Sequence, residues 1–328
     1  MLTPEVRKTE VRKTGVRKTG SENPARISLV TGNRPIVMRL ERKNGYYESV
    51  SAELTGPSRP ERPLCMNDIL STTEHRPWPL PKSPWVMTQR WNDLLFAHWP
   101  LPPTELTHLL PESLNIDTFD GSAWVGVVPF WMDQIRMRGL PKIPGASRFP
   151  ELNLRTYVRE RHTNQPGVYF FSLDAANPFA VAAARLFFRL PYFWARMKIK
   201  SDEGQMLHYS SRRIMSQNPA QFRAHYRSLG KPCVKGGIES FLTDRYALFT
   251  TTRRGETARV NIHHLPWPLE LAEAEFEIND LPQAHGIRLP DTKPLLQYSR
   301  ELTVYIWALE GLGSPATSRA AAPVPAGP

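Results

Sequence analysis

Glu151-Leu-Asn-Leu-Arg-Thr-Tyr-Val158 alternates without a break: Glu151, Asn153, Arg155 and Tyr157 fall on one side of an extended chain, and Leu152, Leu154, Thr156 and Val158 on the other. Such a period of two reads as a strand whose leucine face lies in a core. Its polar face has two readings. Turned to solvent, it would be unremarkable. Lining a closed barrel, a carboxylate, an amide, a guanidinium and a phenol would converge on one cavity, and Arg155 would grip a carboxylate or phosphate bidentately. A register shift of one residue exchanges the two readings.

Outward from this strand, aromatic and β-branched runs alternate with turn residues roughly every ten positions from Trp85 on, which favours an all-β barrel or sandwich. Asn115 to Asp133 reads as a hairpin with Asp120-Gly121 at its turn. Glu151–Arg159 and Gly167–Leu173 read as paired strands, as do Tyr192–Lys200 and Gln205–Arg213 around Ser201-Asp-Glu-Gly. Later strands are expected at Tyr246–Thr252, Thr257–His264 and Gln297–Trp307. The clearest helix starts at Asn177, a capping residue, with Pro178 in its first turn; Phe179, Ala183, Leu186, Phe187 and Leu190 then recur at helical spacing until Pro191. Short helices are expected near Gly237–Asp244 and Leu269–Phe276.

The remainder is of another character. Val-Arg-Lys-Thr occurs at Val6, Val11 and Val16, a five-residue period that matches neither helix nor strand, so residues 1–20 read as a disordered basic tail. Residues 21–84 are rich in Pro and Gly and read as a mostly disordered linker with at most one short hairpin; residues 311–328 read as a second tail. The barrel domain is thus placed at 85–310, and Met66 offers an alternative start.

Composition narrows the function classes. The 328 residues carry 42 basic and 31 acidic side chains, a net charge of +11, with 41% hydrophobic residues, 32 prolines and two cysteines. That rules out collagen-like and wholly disordered chains. Cys65 and Cys233 lie far apart without a CxxC partner, so a disulfide framework and a cysteine zinc site are both excluded. No apolar stretch approaches the length of about 20 residues needed to span a membrane, and no secretory signal follows the basic tail, so a cytoplasmic location is expected. A nucleic-acid binder concentrates Lys and Arg on one stripe with aromatics placed for stacking. Here the basic residues read as scattered, and nucleic acid is not expected as a partner beyond what the basic tail could hold through charge.

Few residues form a chemical motif. His263-His264 stands without a third histidine or a carboxylate at ligand spacing and no HExxH occurs, so no metal is expected; one histidine should pack beside Pro266-Trp267-Pro268 and the other be exposed. The chain lacks GxSxG, a Walker loop and GxGxxG, leaving hydrolase, nucleotide and dinucleotide readings without support and no cofactor expected. In His208-Tyr-Ser-Ser-Arg-Arg213, only one of the two alternating sets, His208/Ser210/Arg212 or Tyr209/Ser211/Arg213, can face inward.

Seven stretches carry a resemblance: Trp91–Trp99, Asp117–Phe130, Phe149–Val158, Gly167–Ala175, Leu190–Met197, Thr243–Tyr246 and His263–Leu269. Through them the chain resembles the YqjF-like proteins, a family of unknown function related in fold to acetoacetate decarboxylase. The resemblance implies a decarboxylase-like β-barrel and, by analogy, homo-oligomerisation. Those decarboxylases carry Gly-Arg-Glu-x-x-Gly-Phe-Pro-Lys-Lys, whose lysine pair supplies the Schiff-base nucleophile. Here Arg185 and Pro191 keep the spacing, but the lysine positions are Tyr192 and Phe193, neither of which can form an imine. The resemblance therefore implies no Schiff-base decarboxylation; it matches Glu151 to a pocket carboxylate and Arg185 to the arginine.

The expected function is binding of a small organic anion in a barrel furnished by Glu151, Asn153, Arg155, Tyr157, Arg185, Tyr192 and Arg213. Whether the barrel also catalyses is left open. A tyrosine or carboxylate acting as general acid or base beside an arginine is the chemistry available. The alternative is a non-catalytic interaction or scaffold protein, with these strands facing solvent or a lumen filled by Trp and Phe.

Overall fold

The computed structural model describes residues 25–31, 34–43, 46–54, 66–140, 148–178, 180–182, 190–234, 236–251 and 256–312. The chain divides into two compact units, Met1–Leu64 and Cys65–Pro328. In the first, β1 (Ala25–Thr31), β2 (Arg34–Lys43) and β3 (Tyr46–Leu54) pair as an antiparallel meander. This stretch read as linker with at most one hairpin. Apolar residues nevertheless alternate at Ile27 and Leu29 and at Ile36, Met38 and Leu40, a strand period masked by polar composition.

In the second unit, twelve strands build one mixed sheet. They are β4 (Met87–Leu101), β5 (Leu114–Ile116), β6 (Ala123–Met137), β7 (Phe149–Glu160), β8 (Pro166–Ala175), β9 (Tyr192–Ser201), β10 (Leu207–Arg213), β11 (Gln221–Pro232), β12 (Ala247–Thr251), β13 (Thr257–His263), β14 (Glu270–Asn279) and β15 (Leu295–Gly311). Their order is β13-β12-β8-β9-β10-β11-β14-β15-β4-β6-β7-β5, and the added pairings β7–β8 and β13–β15 close the sheet on itself twice. Strands β15, β4, β6, β7 and β8 form a common wall. One ring returns from it through β9, β10, β11 and β14, the other through β12 and β13. The fold is mainly β with a few short helices, as expected.

Alternation along the wall sorts side chains between the two rings. Leu95, Ala97 and Trp99 of β4, Val125 and Val127 of β6, and Leu152 and Leu154 of β7 pack with Tyr209, Phe222 and Tyr226. From the opposite face, Leu94, Phe96, Val128 and Phe130 pack with Val260, Ile262 and Trp267. Each fully buried Phe in these layers contributes about 1.5–3 kcal/mol.

Local readings fare unevenly. Asp120 and Gly121 form the expected turn, both with positive φ (49° and 76°), beneath the Phe119–Ser122 bridge. Beyond that bridge the first arm departs: β5 pairs with β7 instead of β6. The helix cap is present, the Ala180 N–H donating to Asn177 Oδ1 at 3.1 Å, and Pro178 and 180–182 are helical; residues 183–189 lie outside the described residues. Leu269–Phe276, expected as a helix, is mostly strand β14. Its Ala, Glu and Leu residues favour a helix locally, but Ala272, Ala274 and Phe276 pack inward while β11 supplies a ladder partner, and tertiary pairing overrides the local preference. Residues 66–84, read as linker, belong to the barrel unit, where His263 Nε2 lies 2.7 Å from the Ile69 carbonyl and Arg76 Nη1 donates to that of Ile262 at 2.8 Å. The basic and C-terminal tails expected at 1–20 and 311–328 lie outside the described residues apart from Gly311 and Leu312.

Candidate functional site

Glu151, Asn153, Arg155 and Tyr157 all point inward, toward the ring closed by β12 and β13, and all are buried. Register explains how room is made among them. Arg155 of β7 sits opposite Gly126 of β6, which sits opposite His98 of β4. A Cβ on Gly126 would lie 3.0 Å from the His98 ring and 3.5 Å from Arg155 Cγ, so the glycine lets both side chains occupy one row of the wall.

The Tyr157 hydroxyl lies 2.5 Å from His98 Nε2, and Arg155 Nη2 donates to the Tyr157 oxygen at 3.3 Å. Burial, and secondarily the charge of Arg155, holds His98 well below its usual pKa, while burial raises Tyr157. Guanidinium can only donate and His98 is neutral, so the consistent assignment runs Arg155 N–H to Tyr157 oxygen and Tyr157 O–H to His98 Nε2. His98 Nδ1 then carries the ring proton. Among the described residues neither it nor Arg155 Nε has a hydrogen-bond partner, and Asn153 Oδ1 is likewise unpartnered. Two rows away, Tyr192 donates its hydroxyl to Glu151 Oε2 at 2.8 Å. Burial lifts Glu151 to about 8, against opposing hydrogen bonds from Tyr192 and Asn153. Glu151 is therefore a largely protonated acid at neutral pH.

Charge balance separates Arg155 from the other buried arginines. Arg213 pairs with Asp174 at 2.9 Å, both side chains fully buried, and Arg245 pairs with Asp117 at 2.6 Å. Arg155 meets no carboxylate among the described residues. Beyond Tyr157 it reaches the Leu242 carbonyl, at 3.5 Å, and the face of Phe96, 5.3 Å from its centroid.

Of the seven residues singled out from sequence, five gather here: Glu151, Asn153, Arg155, Tyr157 and Tyr192. Arg213 does not join them. Residues Tyr192 and Phe193 align with Leu173 and Asp174 of β8 and so face opposite sides of the sheet. Tyr192 meets Glu151, whereas Phe193 stacks on Arg213, 3.8 Å from its ring centroid. Arg213 thus lies on the far face with its charge already matched by Asp174, which burial lifts to about 6 despite the guanidinium. Arg185 lies outside the described residues. Sequence reasoning missed His98 and Gly126. The available signal was a histidine on the otherwise apolar Leu94/Phe96 face, and a glycine inside a strand.

The histidine pair departs from expectation: His263 and His264 are both buried. Residues 66–84 are the reason, since Ile69 and Arg76 contact His263, and His75 Nε2 lies 2.8 Å from the His264 carbonyl. Among the described residues no three His, Cys, Asp or Glu side chains are grouped to hold a metal, and no helix is long and apolar enough to cross a membrane. Two hollows, of about 340 and 180 Å³, are lined by residues other than Arg155: Tyr169, Pro191 and His285 help line the first, Lys198, His208 and Arg223 the second.

This architecture has solved counterparts. The enduracididine biosynthesis enzyme MppR, complexed with the condensation product of pyruvate and imidazole 4-carboxaldehyde, superposes with a TM-score of 0.50 at 10% identity, covering 70% of this chain and 90% of its own. An acetoacetate decarboxylase-like enzyme from Sphingomonas wittichii RW1 superposes with a TM-score of 0.50 at 16% identity, covering 73% and 99%. At such identities the likeness concerns the fold, which is acetoacetate decarboxylase-like. In sequence, the uncharacterized protein YqjF of Bacillus subtilis (strain 168) is 46% identical over 232 residues, 70% of this chain and 94% of that protein. The DUF2071 family, described as an uncharacterized conserved protein, matches residues 88–303. With two thirds of its length matched in this way, and the barrel those residues build, the chain belongs to the DUF2071 family.

Proposed function

We propose that the inward face of β7 binds a small organic anion, with Arg155 as its counter-charge. The observation that supports this reading is the buried Arg155 guanidinium, which among the described residues meets no carboxylate and leaves its Nε unpartnered. Such a charge is costly inside a protein unless something neutralises it. A carboxylate or keto-acid anion would supply that charge and accept the free N–H. The ligand named for MppR, a pyruvate condensation product, is of this chemical class, although only the fold is shared.

Glu151 and Tyr192 give the site a proton to offer. A carboxyl lifted to about 8 can donate to a developing oxyanion or carbanion and take the proton back near neutral pH. The Schiff-base route is not part of the proposal, because the aligned lysine positions hold Tyr192 and Phe193. The test is a thermal-shift titration with small carboxylates, keto acids and phosphates, since a ligand of the folded state alone raises the melting temperature. A carboxylate response that disappears in Arg155→Met is expected. A response of equal size in that variant would remove Arg155 from the site.

The scaffold reading retains one supporting observation: Phe96, Phe130 and Trp267 fill much of this interior, and the two hollows lie elsewhere. It forecasts no shift with any member of the panel.

A further inference from the structure

The outer surface of β9, β10 and β11 gathers charge that is dispersed along the chain. On β9, Trp194, Arg196, Lys198 and Lys200 alternate with inward residues and are all exposed. Cross-strand register then sets Arg196 beside Arg212 and Gln221, Lys198 beside Ser210 and Arg223, and Lys200 beside His208 and His225. Five exposed Lys and Arg side chains therefore occupy three neighbouring strands, and part of this patch lines the hollow of about 180 Å³. Glu277 engages Arg223 and His225; Arg196, Lys198, Lys200 and Arg212 have no carboxylate partner among the described residues.

This arrangement weakens the sheet that carries it. Arg196 and Arg212 are direct cross-strand partners, and like charges so placed are destabilising. Charges on an open strand edge also discourage strand addition, which accounts for β9, bonded to β8 only across Tyr192–Trp194. It does not account for Arg212 and Arg223, whose strands are paired on both sides. Nor does it account for Trp194, 37% exposed on the same face.

We infer that this face binds single-stranded nucleic acid. Cations two residues apart on a strand repeat about every 6.7 Å, a spacing suited to successive phosphates of an extended polynucleotide. Trp194 stands at the end of the row as a platform on which any base can stack. Phosphodiester recognition of this kind needs no reading of base edges, and the face presents side chains for charge and stacking. It is separate from the Arg155 interior and does not depend on the anion reading.

The test uses the full chain, so that the basic repeat at 1–20 is present in every sample, and follows the anisotropy of a fluorescein-labelled oligo-dT of about 15 nucleotides. Neutralising four phosphates gives a salt slope of about −2.8, so affinity should fall about 50-fold between 50 and 200 mM salt. Lys198→Gln/Lys200→Gln should bind at least tenfold more weakly and make the slope shallower by about 1.4. Trp194→Ala should lose about tenfold by removing the stack. Both sites are exposed, and an unchanged melting temperature verifies folding; Arg212→Gln is the substitute where a variant melts early. Unaltered affinity in these variants would assign binding to the basic repeat and overturn the proposal. So would absence of binding at 50 mM salt, or a clear preference for phosphatidylserine vesicles over the oligonucleotide.

Discussion

Replacing Glu151 by Gln should change how stability depends on pH. Glu151 is 3% exposed, and burial raises it from 4.5 to about 8. The folded state therefore retains a proton that the unfolded chain releases above pH 4.5. The group's stabilising contribution is complete below pH 4.5, declines as pH rises, and is lost through pH 8. Between those limits the shift of about 3.5 pH units corresponds to about 5 kcal/mol at most. Gln is nearly isosteric, stays neutral and can still accept from the Tyr192 hydroxyl, so Glu151→Gln removes this slope while keeping the packing. Urea unfolding at pH 5, 6, 7, 8 and 9 measures it, because groups that titrate equally in both proteins cancel in the difference. Relative to the native chain, the variant should gain several kcal/mol from pH 5 to 9. A difference that stays flat across this range would refute a buried, protonated Glu151.

Three further outcomes follow from the same geometry. Without ligand, Arg155→Met should stabilise the protein by about 1–3 kcal/mol in chemical denaturation, since a buried unpaired charge gives way to an apolar side chain; a loss of stability would show that Arg155 is compensated. Gly126→Ala places a methyl 3.0 Å from the His98 ring and should cost about 1–3 kcal/mol while disturbing the His98–Tyr157 hydrogen bond, visible as a changed imidazole NMR signal. An unperturbed ring and an unchanged melting point would contradict the packing argument. Asp174→Asn leaves Arg213 buried without its counter-charge and should cost about 3–5 kcal/mol, whereas the same change at exposed Asp202, which pairs with His208 in solvent, should leave the melting temperature nearly unchanged; equal effects would remove the distinction.

The contrast between β7 and β14 shows what local pattern can reveal. Within β7, Glu151–Val158 alternates polar residues with a largely apolar set, and its two faces were legible. In β14 the residues Leu-Ala-Glu-Ala-Glu favour a helix, and the ladders with β11 and β15 make them a strand. The histidine pair teaches a similar point, because no periodicity in His263-His264 indicates that residues 66–84 will cover both rings.

The sequence by itself determined the alternating faces of β7 and β10, the Asp120-Gly121 turn, the Asn177 cap and the absence of lysine at Tyr192 and Phe193, all properties of a residue and its near neighbours. Tertiary structure alone decided that the Glu151 face looks inward, that Arg213 acquires Asp174 while Arg155 meets no carboxylate among the described residues, and that Arg196, Lys198, Arg212 and Arg223 share one surface. Alternation is a local consequence of backbone geometry, whereas charge partners depend on which strands pair and in which register. Those pairings join residues tens of positions apart, and the closure of the sheet on itself sets them.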